Sequence, residues 1–359
     1  MIHFHSLRVK NIEKETEDCV SISFNLPEEL KETFQFKQGQ SLTVRKQLNG
    51  EEVRRTYSIC SSPFDDILRV AVKKVEGGIF STWANETLKT GDMIDVMPPV
   101  GKFYTDLHPS QNKNYVAFAA GSGITPVLSI IKTTLLTEPQ SEFTLVYGNR
   151  TKNSIIFKEE LEGLKDKFID RFRTYHILSR EKTEAAINYG RIDIDKLEIF
   201  FNKLIDLKNC DEFFLCGPED MIFCIKGYLS GKGVAPDKIH FELFTIPGVR
   251  KSTVDKPVLK EEKNGPTSKL SVKLDGIMFD FDLGYEDDSI LDAALKQGAD
   301  LPYACKGGVC TTCKARLMEG EIVMDVNWGL EPDEVKKGYI LTCQSHPRTE
   351  KVVVDFDMK

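Results

Sequence analysis

Several things are missing from this 359-residue chain, and each absence narrows what it can do. No stretch approaches the roughly 18–20 unbroken apolar residues that a membrane helix needs. Positive charge is not in excess: 48 Lys and Arg stand against 55 Asp and Glu, a net charge of −7, which argues against nucleic acid as the main partner. Low-complexity tracts and internal repeats are absent, and 22 Phe in a charge-balanced chain exclude disorder. The first residues, MIHFHSLRVKNIEKE, alternate apolar and polar and lack the apolar core and small-residue cleavage site of a secretory leader. They read as a strand, and the expected compartment is the cytoplasm.

What is present is unevenly placed. Residues 266–359 hold 11 Lys and Arg against 17 Asp and Glu, so a small acidic module is attached to a near-neutral body. Nine cysteines, an odd number, point to a reducing compartment, where clustered Cys means metal or redox chemistry. Five of them, Cys19, Cys60, Cys210, Cys216 and Cys224, are scattered through the body.

Three textures follow one another. Up to about Leu107, short alternating runs (FHSLRVKNI, CVSISFNL, SLTVRK, VRRTYSIC, LRVAVKKV) broken by turns predict an antiparallel barrel. From Asn114 to Phe244, apolar strands alternate with helices expected near Thr125, Ile155 and Pro218, the pattern of a parallel, doubly wound nucleotide-binding sheet. Residues 245–267 read as a linker, which at 23 residues spans at most about 75 Å. The remainder opens with a hairpin, KLSVKLDG then IMFDFDL, followed by a helix that Ser289 and Asp292 are placed to cap.

The most specific motif is Cys305-x₄-Cys310-x₂-Cys313, with Cys343 thirty residues on, the spacing of plant-type 2Fe-2S sites. Two irons and two sulfides need four thiolates, and Gly307 and Gly308 let one loop wrap three of them. A Cys₄ zinc staple in a scaffold protein is the alternative, although zinc sites usually pair two CxxC units.

Gly121-Ser122-Gly123-Ile124-Thr125-Pro126 joins a strand to a helix, where backbone and helix dipole suit a pyrophosphate. Arg150 and Arg180 end the next two strands and could pair the extra phosphate of NADPH, or be ordinary surface residues. Cys216-Gly217-Pro218 ends a further strand, where ligands of open α/β sheets sit. In the barrel half, Arg55, Tyr57 and Ser58 offer a cation, an aromatic face and a hydroxyl for a flavin, and Gly78 and Ser81 open a second phosphate-cradling turn.

Together these motifs resemble the ferredoxin–NADP⁺ reductase superfamily, with a plant-type ferredoxin fused at the C-terminus. The order of domains is similar to that of a subset of oxygenase reductases. Within it the long runs RRTYSIC, YGNRTKNSIIF, SILDAALKQGADLPYACKGGVCTTCK and VVVDFD resemble the reductase subunits of bacterial phenylacetyl-CoA epoxidases. The resemblance implies a FAD-binding β-barrel over residues 1–107, an NAD(P)-binding α/β domain over 108–244, the linker over 245–267 and a β-grasp 2Fe-2S domain over 268–359. It implies FAD held by Arg55, Tyr57, Ser58, Gly78 and Ser81, and NADPH held by Gly121, Gly123, Thr125, Arg150, Arg180 and Gly217. Cys216 is then expected beside the nicotinamide and Glu242 and Phe244 against the flavin, with Ser58, Cys216 and Glu242 at the reacting centre. Electrons would pass to di-iron oxygenase subunits of the phenylacetyl-CoA epoxidase complex, with another multicomponent oxygenase or a hybrid-cluster protein as the alternative acceptor.

Overall fold

The computed structural model of the chain describes residues 3–244 and 265–358, so the expected linker lies, apart from its last three residues, outside the described residues. Two compact units emerge, one over Phe4–Phe244 and one formed chiefly by the residues beyond it.

The first unit begins with six antiparallel strands: β1 (His5–Thr16), β2 (Cys19–Asn25), β3 (Ser41–Leu48), β4 (Glu51–Ser58), β5 (Leu68–Lys73) and, after helix α1 (Ile79–Glu86), β6 (Met93–Val96). Their order is β4-β3-β6-β1-β2-β5. The sheet curls until its two edges meet, where Ile59 bridges Val70 and the Cys60 N–H donates to the Arg69 carbonyl at 2.9 Å. Closure removes the exposed edges that an open sheet would leave. Inside lie Leu7, Val9, Ile22, Leu42, Val44, Ile94 and Val96, the inward members of alternating strands. Asn49 and Gly50, both at positive φ, make the two-residue turn that sets the β3–β4 register, with Leu48 opposite Glu51. The five barrel runs expected from the sequence are all strands. The short β6, which carried no signal of its own, slots between β3 and β1.

Next comes a five-stranded parallel sheet: β7 (Asn114–Ala120), α2 (Ile124–Thr137), β8 (Glu142–Asn149), α3 (Lys158–Lys167), β9 (Phe172–Leu178), α4 (Ile194–Lys203), β10 (Glu212–Gly217), α5 (Glu219–Gly231) and β11 (Ile239–Leu243). Its order, β11-β10-β7-β8-β9, reverses between β7 and β10. Strands covered on both faces read as continuous apolar runs, and β7 and β10 are buried nearly throughout. Helix α3 starts three residues later than expected, at Lys158. Thr151 and Ser154 close a capping box around a separate short turn, and Phe157 follows in the left-handed conformation, so the chain cannot run straight into the helix.

Barrel and parallel sheet share one apolar core. Cys19, Cys60, Ala71 and Phe103 pack with Ile124, Ile131, Tyr147 and Phe214, and the Phe103 and Phe214 rings meet edge-on at 5.5 Å. Polar contacts rim this seam. Ser129 Oγ donates to the Ser61 carbonyl at 2.6 Å, and the Ser62 and Thr133 hydroxyls meet at 3.0 Å. Glu160 on α3 receives Arg69 from β5 at 2.6 Å and Lys132 from α2 at 2.8 Å.

The second unit contains β12 (Thr267–Leu274), β13 (Ile277–Gly284), α6 (Ile290–Lys296), β14 (Lys314–Glu319), β15 (Ile322–Met324), α7 (Pro332–Lys336), β16 (Tyr339–Leu341), β17 (Ser345–Pro347) and β18 (Lys351–Asp355). Its mixed sheet, β13-β12-β18-β14-β16, grips α6 through Ile290, Leu291, Ala293 and Ala294. The expected hairpin is β12–β13, and Ser289 caps α6 by accepting the Asp292 N–H at 3.2 Å.

Because one carboxylate ties Arg69 across the seam and Lys132 beside it, Glu160→Ala should cost about 2 kcal/mol. The expected result is a lower thermal midpoint for flavin release with the 2Fe-2S absorption unaffected at that temperature.

Candidate functional site

The reversal of strand order between β7 and β10 opens a crevice at the carboxyl ends of the sheet, where ligands of open α/β folds bind. Gly121–Gly123 forms a tight turn after β7, and Cys216–Gly217 ends β10 beside it. A side chain at Gly123 would put its Cβ 2.1 Å from the Cys216 carbonyl oxygen, and one at Gly217 would meet Ala120 and Met221. These glycines therefore let two loops approach each other, beyond the phosphate access read from sequence. Thr125 is buried and donates its hydroxyl to the Ser122 carbonyl at 3.0 Å.

Cys216 sits fully inside, and in the β10–β11 register it stands opposite Glu242. Burial, reinforced by that carboxyl, holds its thiol well above the ordinary range, so it is a neutral group here. Glu242 is half-buried and accepts a 3.0 Å hydrogen bond from Ser58 Oγ at the end of β4, 184 positions away. Burial pushes Glu242 up to about 7, against the pull of the Ser58 hydroxyl. Ser58, Cys216 and Glu242 thus converge where barrel and sheet meet. Phe244 follows β11 and is exposed.

Along the barrel, Tyr57 is half-buried with its ring 5.5 Å from Phe80. Arg55 is exposed, with Nη1 on the Arg54 carbonyl at 2.7 Å. Gly78 precedes the first turn of α1, and Ser81 Oγ accepts the Val75 N–H at 3.1 Å, so this hydroxyl shapes the turn itself. At the other end of the crevice Arg150 and Arg180 are brought together: both are exposed, and the Arg180 N–H donates to the Arg150 carbonyl at 2.9 Å.

In the second unit the four cysteines pair two by two. Cys305 and Cys310 are within hydrogen-bonding reach of each other, as are Cys313 and Cys343. Among the described residues no three His, Cys, Asp or Glu side chains gather tightly enough for a single ion. Two thiolate pairs are what a two-iron cluster requires, each iron taking two, whereas a zinc staple needs all four at one point. The Cys310 thiol, and behind it the N–H groups of Gly307, Cys310 and Val309, pull the Cys305 thiol down to about 5. Two features had no legible signal. Trp328 and Gly329 both donate their N–H groups to the Gly308 carbonyl at 2.9 Å. Gln344 Nε2 reaches the Lys306 carbonyl at 3.0 Å, tying the fourth cysteine's segment to the loop of the first. Only adjacency to Cys343 could have drawn attention to Gln344.

Three known domain families match the chain in turn. The oxidoreductase FAD-binding domain family matches residues 6–104, the oxidoreductase NAD-binding domain family 118–227 and the 2Fe-2S iron-sulfur cluster binding domain family 273–348. The chain is 46% identical to a subunit of the 1,2-phenylacetyl-CoA epoxidase of Escherichia coli K12, over 100% of this chain and 99% of that one. It belongs to the family of phenylacetyl-CoA epoxidase reductase subunits. It is an NAD(P)H-dependent oxidoreductase with FAD, NAD and 2Fe-2S binding domains. Another relative, the ferredoxin reductase component of 3-ketosteroid-9-alpha-monooxygenase from Rhodococcus rhodochrous, is 33% identical over 98% of this chain and 96% of its own. The fold is shared with phthalate dioxygenase reductase, at a TM-score of 0.59 and 23% identity over 98% of each chain. Among the described residues no helix is long and apolar enough to cross a membrane.

Two outcomes are expected. Replacing Cys305, Cys310, Cys313 or Cys343 with Ala should abolish the 2Fe-2S absorption and leave FAD content unchanged, whereas Cys60→Ala should keep both. For Glu242, a carboxyl pushed up to about 7 in the folded state is neutral in both states below its unfolded value near 4.5. Its contribution to stability is lost as pH rises through 7. Glu242→Gln should therefore match the parent protein in thermal midpoint at pH 4.5 and exceed it at pH 8; a constant difference across that range would contradict the assignment.

Proposed function

We propose that this chain is the cytoplasmic, NADPH-dependent reductase of a phenylacetyl-CoA epoxidase, supplying electrons to the di-iron oxygenase subunits and never touching their substrate. One observation carries the reading: Ser58 and Glu242 meet at 3.0 Å beside the Gly121–Gly123 turn, so a flavin edge and a nicotinamide have a common meeting place. Bound groups would supply the chemistry, the nicotinamide a hydride, the flavin the step from electron pair to single electrons, and the 2Fe-2S cluster their onward relay.

The chain's own residues do the rest. Arg55 with the amino end of α1 at Gly78 and Ser81 would neutralise the FAD pyrophosphate, and Tyr57 would lie along the flavin ring. Ser58 would orient the Glu242 carboxyl close to the ring edge by donating to Oε2, and Phe244 would extend the wall after β11. Gly121, Gly123 and Thr125 would shape the turn that receives the NADPH pyrophosphate, while buried Cys216 and adjoining Gly217 exclude water from the nicotinamide. Arg150 and Arg180, side by side and exposed, are suited to grip a 2′-phosphate, and they are the reason for preferring NADPH. Cys305 with Cys310 and Cys313 with Cys343 would each hold one iron.

The test combines purified chain, oxygenase subunits, phenylacetyl-CoA and either nicotinamide. NADPH should drive epoxide formation, and Arg150→Ala or Arg180→Ala should lower kcat/KM for NADPH by about 10-fold or more with NADH little changed. Normal reduction of cytochrome c without epoxide would assign the chain to another acceptor, and equal efficiency with both nicotinamides would overturn the NADPH preference.

A further inference from the structure

Tyr147 is the one hydroxyl-bearing aromatic in the run FTLVYG, and it is completely buried among apolar side chains in the shared core. Its hydroxyl donates a 2.9 Å hydrogen bond to the carbonyl of Gly121, 26 positions earlier, the residue that opens the turn after β7. Gly121 lies at φ +55, and its carbonyl also accepts the Ile124 N–H within the turn. The C=O and N–H of one trans peptide point in opposite directions. With the Gly121 oxygen drawn into the core by Tyr147, the Ser122 N–H of the same peptide faces away from it, on the side where Ser122 is partly exposed. Thr125 grips the next carbonyl, that of Ser122, in the same manner.

We infer that Tyr147 is a positioning residue of the nucleotide site: from inside the sheet its hydroxyl orients the Gly121–Ser122 peptide so that the Ser122 N–H is presented to the pyrophosphate of the dinucleotide. This rests on the reading of the crevice as the pyridine-nucleotide site. It assigns a task to a residue that makes no contact with the ligand, and it explains why a phenol, and not a phenyl ring, is placed where burial would favour Phe.

The structure supplies its own control. Tyr115, at the amino end of β7, is equally buried, and its hydroxyl donates to Glu138 Oε2 at 2.9 Å, away from the crevice. Tyr147→Phe and Tyr115→Phe each strip the hydrogen bonds from one buried phenol, Tyr115 losing those to Glu138 and Gln111, and only the first touches the turn. In the full-length, FAD-loaded oxidised protein, NADP⁺ binding is measured by isothermal titration, alongside KM and kcat for NADPH, flavin content and thermal midpoint. Tyr147→Phe should raise Kd and KM about 5- to 10-fold with kcat within about twofold and flavin content unchanged. Tyr115→Phe should leave Kd within about twofold while lowering the midpoint. Hydrogen exchange of the parent protein, which needs no variant, should show the 121–125 segment protected by NADP⁺. Unchanged Kd in Tyr147→Phe, equal weakening in Tyr115→Phe, or no protection of that segment would each overturn the inference. Failure of the parent protein itself to bind NADP⁺ would instead overturn the functional reading beneath it.

Discussion

Between the backbone of Gly123 and the carbonyl oxygen of Cys216 there is no room for even a methyl group. That contact brings the turn after β7 against the end of β10 and so fixes the width of the crevice. A bulkier residue would push the two strand ends apart, and with them Cys216 and its partner in register, Glu242. Since Glu242 is bonded to Ser58 on the barrel, the displacement would reach the flavin side as well. The common core beneath, with Phe103 against Phe214, leaves little slack to absorb such a shift, because packed interiors resist small changes in volume.

How much of this was legible in the sequence depends on how local each feature is. The cysteine spacing is local chemistry, and it was enough to read a 2Fe-2S domain, which the matching family bears out, and to propose the thiolates for it. Strand and helix textures are local too, and they separate barrel, parallel sheet and acidic module. The Ser58–Glu242 bond is not local: its partners lie 184 positions apart, and resemblance alone suggested that they share a site. Gly123 was visible as a glycine, but its closest constraint, the β10 backbone, could be found only in three dimensions. The late start of α3 was hidden for a similar reason, since a capping box and a left-handed Phe157 leave no mark on apolar periodicity. Arg150 and Arg180 were read singly as strand-end cations, and a backbone hydrogen bond shows them as neighbours.

The two units solve different problems with the same material. In the first, polar groups at the crevice are oriented by partners from distant parts of the chain, so the site and the fold are inseparable. In the second, the cysteine-rich loop is tied mostly to its own surroundings. Trp328 and Gly329 hold the Gly308 carbonyl, and Gln344 reaches across to Lys306. A loop that carries three of the four clustered cysteines needs this bracing because a left-handed Lys306 and a positive-φ Gly308 give it little regular structure to lean on.

The burial of the body cysteines bears on how such a chain is assembled. Desolvation raises the Cys60 and Cys210 thiols to about 12, and it lifts Cys19 and Cys216 further still. Only a thiolate attacks a disulfide or an oxidant readily, so these four sulfurs are chemically silent once the first unit has folded. Cys305, by contrast, is drawn toward the thiolate by the neighbouring Cys310 thiol and by the N–H groups of Gly307, Cys310 and Val309. The sulfurs shut away in the first unit are thereby kept out of stray bridges, and oxidation of the chain would begin at its less buried thiols, Cys224, Cys305 and Cys310.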